Sequence, residues 1–169
     1  SMRFIQQCRS FMHAAAVVGA LAACQPRAAA QDLANWRVFQ IGLSRAGYLG
    51  SPPGEPERIL IAQLDGIVRV IENGTLLPTP FLDIRSRANA AHGLVGIAFP
   101  PDYATSRRFY VNYVNNSAQF GTQPLIARYT TSANPNIANT TEEILLRTGS
   151  GSGDHVAGWM DFGHDGYLY

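Results

Sequence analysis

The 169 residues are 46% hydrophobic and only 15% charged, against about 25% charged in ordinary soluble domains, which excludes a disordered chain. With 16 glycines and 10 prolines the composition is that of a buried, turn-rich β protein. All 13 basic residues are arginines, and against 12 acids they leave a formal charge of +1, so there is no basic face for nucleic acid.

The N-terminus reads as targeting. Arg3 and Arg9 form a positive region, and Phe11 to Ala23 supply an apolar run too short to span a bilayer. Leu21-Ala22-Ala23-Cys24 resembles a bacterial lipobox, in which the cysteine is lipidated and becomes the first residue. Cleavage after Ala28-Ala29-Ala30 would instead release an exported protein. Residues 1–30 are therefore read as an export signal and 31–169 as the folded part, periplasmic or tethered at the outer membrane. A lipid on Cys24 would tether the protein to a membrane without making it span. Both cysteines, Cys8 and Cys24, lie in this leader, which leaves the rest without a disulfide or a thiolate metal site.

From Trp36 onward the chain reads as short strands. "RILIAQ" (58–63) and "IVRVIE" (67–72) are joined by Leu64-Asp65-Gly66, where Asp-Gly predicts a tight type I′ hairpin. Asn73-Gly74 ends the second strand in the same way. "FLDI" (81–84), "GLVGIAF" (93–99), "RFYVNYV" (108–114), "LIARYTT" (125–131) and "EILLRT" (143–148) follow. "GWMDF" and "YLY" flank an Asp165-Gly166 turn. Residues 51–57, 85–92, 115–124 and 132–141 are polar and read as loops. No stretch after the leader holds a helical period over three turns. Such spacing predicts a sandwich, barrel or propeller. At about 40–45 residues per four-stranded propeller blade, residues 36–169 make two to three blades. That is too few to close a ring and hide its edges, so a partial propeller ending at Tyr169 is expected.

Chemistry concentrates at the end, in "SGSGDHVAGWMDFGHDGYLY". The Gly149–Gly153 run is no phosphate cradle, because no lysine follows and no helix begins there. The Asn73, Asn115 and Asn139 sequons are read as idle behind a bacterial-type leader, and the strand-spaced aromatics as core.

"RILIAQLDGIVRVIENGTLLPTPFLDI", "HGLVGIAFPPDYATSRRFYVNYV" and "DHVAGWMDFGHDGYLY", in that order, resemble landmarks of the glucose/sorbosone dehydrogenase family. Those proteins are soluble-type quinoproteins that use pyrroloquinoline quinone (PQQ). The resemblance implies an all-β, six-bladed propeller of which this chain holds the first two to three blades. It implies oxidation of an aldose or related sugar, with hydride passing to PQQ and electrons on to a quinone or cytochrome acceptor. His155 would be the general base and Asp154 would orient its ring or bond a sugar hydroxyl. Imidazole, with a pKa of about 6.5, suits proton removal near neutral pH, and such a base is worth about 10²–10⁴ in rate. His164 reads as a turn residue, and His92 borders the substrate pocket of relatives.

Two positions depart from the family pattern. Ala91 stands where glucose-oxidising relatives carry a glutamine, which removes a sugar contact, and "FPPDY" replaces "FHPDF". The family's calcium ligands and most PQQ contacts would follow Tyr169, so no metal ligand is assigned in this chain. Two other functions remain open on the same fold. One is a non-catalytic propeller that binds a protein or glycan; the other is a calcium-dependent, lactonase-type hydrolase.

Overall fold

A computed structural model of the chain describes residues 42–117, 121–149 and 158–169. Cys24 with the rest of the leader, and the Asp154–His155 pair, lie outside the described residues.

Two antiparallel sheets follow one another. The first contains β1 (Ala46–Gly50), β2 (Arg58–Gln63), β3 (Ile67–Glu72), β4 (Thr75–Leu76) and β5 (Leu82–Asp83). Its order is β1-β2-β3, and the short β4 and β5 share the remaining edge of β3. The second sheet runs in simple order through β6 (Leu94–Ala98), β7 (Arg108–Ser117), β8 (Gly121–Thr130) and β9 (Glu143–Arg147). Each is a meander four strands wide, the form of a propeller blade. One helical turn, α1 (Tyr103–Ser106), links β6 to β7.

The β2–β3 register, Arg58 with Glu72 through Gln63 with Ile67, matches the two apolar runs residue for residue. The turn between them differs from expectation. Gly66 alone has a left-handed backbone, with φ +94°, and its N–H donates to the Gln63 carbonyl at 2.9 Å. This is a three-residue loop closed by a glycine bulge, the alternative to the two-residue type I′ form. At Asn73-Gly74 both φ values are positive, 49° and 78°, and the type I′ turn forms as expected.

The long β7–β8 hairpin corrects the reading of 115–124 as a loop. Pairing continues through Asn115 with Gln123 to Ser117 with Gly121, because backbone pairing carries polar side chains through the end of a ladder once the apolar rows below set the register. β1 was also unread: "AGYLG" has two glycines and no β-branched residue. The final hairpin is smaller than the predicted strand pair, a single bridge between Phe162 and Leu168. Asp161 and Tyr169 exchange backbone bonds of 3.1 and 2.9 Å beside it.

The core lies between the sheets. Leu60, Val68, Val70 and Phe81 from the first face Ile97, Phe109, Val111 and Tyr129 from the second. Phe109 sits at its centre, 5.0 Å from the Phe81 ring and 5.7 Å from that of Tyr129. Burying each such side chain is worth about 1.5–3 kcal/mol. Arg58, only 4% exposed, fastens the sheets at one end. It bonds Glu55 at 2.5 Å and the Tyr103 hydroxyl at 3.0 Å, donates to the Pro135 carbonyl, and lies over the Phe81 ring.

Candidate functional site

The opposite end of the molecule carries the candidate site. The row Leu94–Tyr113–Leu125–Arg147 crosses all of the second sheet. Beyond it β6 enters, β7 and β8 turn, and β9 leaves. The entry to β1 and the β2–β3 turn reach the same rim, because the connection from β5 to β6 packs against both.

That connection ends at Gly93, whose φ is +24° and where any Cβ would overlap the Leu64 carbonyl. Only glycine permits so close an approach of two backbones. Asn89 organises the turn before it: its Oδ1 accepts the N–H of Ala91 at 2.7 Å and of His92 at 3.1 Å, and its carbonyl accepts from Gly93 at 2.7 Å. Val114 of β7 closes the third side, exchanging backbone bonds of 2.7 and 2.8 Å with Asn89 and Gly93. From the residue before β1, the Arg45 guanidinium donates to the Ala90 carbonyl at 3.3 Å and the Ala91 carbonyl at 2.7 Å. Ala90 and Ala91 are thus exposed on a platform tied from three directions, with His92 half-buried beside them.

The second candidate loop is anchored on both sides. After β9, Thr148 donates backbone and hydroxyl bonds to the Pro124 carbonyl at 3.1 and 3.3 Å, and its carbonyl accepts from Gln123 at 3.2 Å. On the far side the Gly158 carbonyl accepts from Asn112 Nδ2 of β7 at 2.8 Å. A side chain on Gly96 would come within 3.4 Å of that same carbonyl oxygen. Met160 is buried next to it, and Phe162 meets the Tyr110 ring edge-on at 5.3 Å. Residues 158–162 therefore run inward from the rim alongside β6. Asp154 and His155, between these anchors in the chain, are not among the described residues.

His164 occupies an exposed turn, closed by the Gly166 N–H on the Gly163 carbonyl at 2.9 Å, as its sequence context predicts. A Cβ on Gly163 would stand 2.6 Å from Asp165 Oδ1. The Tyr169 hydroxyl at 2.6 Å and the Tyr167 N–H at 3.1 Å hold the Asp165 carboxyl below the usual carboxylate range.

Arg45, Asn89 and Asn112 are site-shaping residues that sequence reasoning missed. Only Asn89 left a signal, an Asn two residues before the amide it caps. Among the described residues no three metal-ligating side chains converge. Arg45 is the described cation on the Ala91 platform. Among the described residues neither calcium nor a quinone is assigned a ligand. No described helix is long and apolar enough to cross a membrane.

The family model for "Glucose / Sorbosone dehydrogenase" matches residues 53–169. Two curated relatives are Hedgehog-interacting proteins. That of Mus musculus is 29% identical over 126 residues, 66% of this chain and 18% of its own. That of Homo sapiens is 28% identical over 137 residues, 73% of this chain and 19% of its own. Among solved structures, one glucose dehydrogenase superimposes with a TM-score of 0.67 at 23% identity, covering 78% of this chain and 39% of its own. The soluble aldose sugar dehydrogenase of Escherichia coli does so at 0.56 and 22%, covering 66% and 32%. The chain spans less than a fifth of the length of these curated relatives and under half of these solved chains. At such identities the structural likeness speaks for the fold alone, the propeller expected from the sequence, here with its first two blades and a short further pairing of Phe162 with Leu168.

Proposed function

The chain belongs to the glucose/sorbosone dehydrogenase family, and from that premise we propose that the complete protein is an exported sugar dehydrogenase that uses PQQ and calcium. Its substrate is an aldose or a related sugar. When bound, the quinone supplies the hydride acceptor, and electrons leave to a second quinone or a cytochrome. His155 takes the proton of the anomeric hydroxyl, so that the carbon–hydrogen bond breaks from an alkoxide-like oxygen. Asp154 orients the imidazole or bonds a neighbouring hydroxyl.

The observation that supports this reading is the common end of the two anchored segments. Gly158, three residues after His155, is held on β7 at the end of the molecule that carries Ala91 and His92. The reading also takes residues 1–30 as the export signal, with Cys24 as the lipid attachment point, and 31–169 as the N-terminal blades.

The test is expression of the complete gene, loading with PQQ and calcium, and dye reduction across a panel of sugars. Turnover that falls by about 10²–10⁴ in His155→Ala, with quinone affinity retained, is the expected result. Absence of both turnover and quinone binding overturns the enzymatic reading, and turnover that survives His155→Ala overturns only the assignment of the base.

A second reading is favoured by the curated relatives, both named for interaction with Hedgehog and matched at 28–29% identity. In it the propeller is a non-catalytic binder of a protein or glycan, and the rim presents a docking face. Retention of a protein partner by the full-length molecule without PQQ binding is its signature.

A further inference from the structure

We propose that Arg45 is a specificity-determining residue that receives the carboxylate of an acidic sugar, a hexuronate-type aldose. This deepens the dehydrogenase reading and rests on it.

Arg45 is placed with more constraint than an exposed arginine needs. Its backbone is left-handed at φ +42°, a region that residues with a Cβ avoid. It is kept there by the Leu64 N–H on its carbonyl at 3.1 Å and by Gln63 Nε2 on the preceding Ser44 carbonyl at 2.7 Å. From that position the side chain crosses to the next blade and meets the Ala90 and Ala91 carbonyls. Strained backbone that is over-determined by its surroundings is a feature of ligand clamps.

The guanidinium retains binding capacity. Of its five N–H donors two are engaged by carbonyls. The ion pairs among the described residues engage Arg58, Arg85, Arg87 and Arg128, and not Arg45. Asp65 of the nearby β2–β3 turn forms none of these pairs, and its charge is only a minor influence on Arg85. Neutral carbonyls orient the guanidinium without cancelling its charge. The Ala91 side chain contributes only a methyl group at this corner, and the cation on its platform is Arg45. A planar fork of donors anchored on two carbonyls matches a carboxylate bidentately, and that anchoring lowers the side-chain entropy that binding would otherwise cost.

The experiment compares matched pairs, glucose with glucuronate and galactose with galacturonate, on the full-length protein loaded with PQQ and calcium. The acid is expected to be preferred in kcat/KM, with its KM rising on addition of salt while that of the neutral sugar does not. Arg45→Met should lower the acid-to-neutral ratio at least 10-fold and Arg45→Lys should keep part of it. A ratio unchanged in Arg45→Met, with both sugars losing equally, means a loop clamp and overturns the proposal. So does an unchanged ratio with weakened PQQ affinity, measured by titration, which would give the guanidinium to the cofactor's carboxylates. If Arg45→Met fails to fold, Arg45→Lys and the salt dependence of the wild type decide. Turnover of neutral sugars with acids rejected overturns this proposal alone; no turnover with any sugar overturns the dehydrogenase reading as well.

Discussion

At position 93 a single methyl group would collide with the carbonyl of Leu64, a group in the β2–β3 turn. Neither backbone can yield easily, since Gly93 is bonded to Asn89 and Val114 and Leu64 closes the β2–β3 turn. Gly93→Ala should cost about 2–4 kcal/mol, in the range of strain and overpacking defects. Gly54 is the contrast: its φ is +80° with nothing near a built Cβ, so Gly54→Ala should cost only about 1 kcal/mol. Urea denaturation of the two variants separates backbone collision from backbone preference. Ala91 tests the site at the same scale. Ala91→Gln restores the amide found in glucose-oxidising relatives, and one substrate hydrogen bond, about 1–1.5 kcal/mol, should raise kcat/KM for glucose about tenfold.

Among the elements, β7 and β8 share a buried network. The Glu142 carboxylate accepts from the hydroxyls of Tyr113 at 2.9 Å and Tyr129 at 2.7 Å, and Arg87 pairs with it at 3.6 Å. Burial first, and then the adjacent carboxylate, pushes both phenols above their ordinary 10.0. Because the folded state holds these protons more tightly, the stability they contribute is complete below pH 10 and is lost as pH rises through the folded-state values. The urea midpoint should therefore be level to about pH 9 and fall above pH 10, at up to about 2.7 kcal/mol per pH unit for two phenols. Tyr129→Phe should lower that slope by one phenol's share, about 1.4 kcal/mol per pH unit. A midpoint that declines steadily from pH 7 would contradict the assignment.

The same elements show what a reader of the sequence can and cannot see. β2, β3 and β6 were legible because their apolar runs are buried and bounded by Gly, Asn and Pro. β1 was not, since its neighbours and not its own residues make it a strand. The upper β7–β8 ladder was hidden because it is polar yet paired. The Asp154–His155 pair carries a functional reading only through its resemblance to a family motif. The Ala90–Ala91 platform depends on Arg45 meeting these two residues across 45 and 46 positions of chain, a pairing without local trace.

For the whole molecule, the export reading makes a prediction separate from the fold. Cys24→Ser should move the protein from the membrane fraction to the soluble periplasmic fraction without altering its activity, and mass spectrometry of the wild-type N-terminal peptide should show a lipid on Cys24. Recovery of a soluble wild-type protein beginning at Gln31 would favour release instead. Within residues 41–169, which form one compact unit, the connection between the blades is tied to β1, to the β2–β3 turn and to β7. Nothing in that connection is built to swing. A guest that touches this connection therefore meets a surface set before it arrives, and the backbone amides of the connection should keep the same hydrogen-exchange protection with and without ligand.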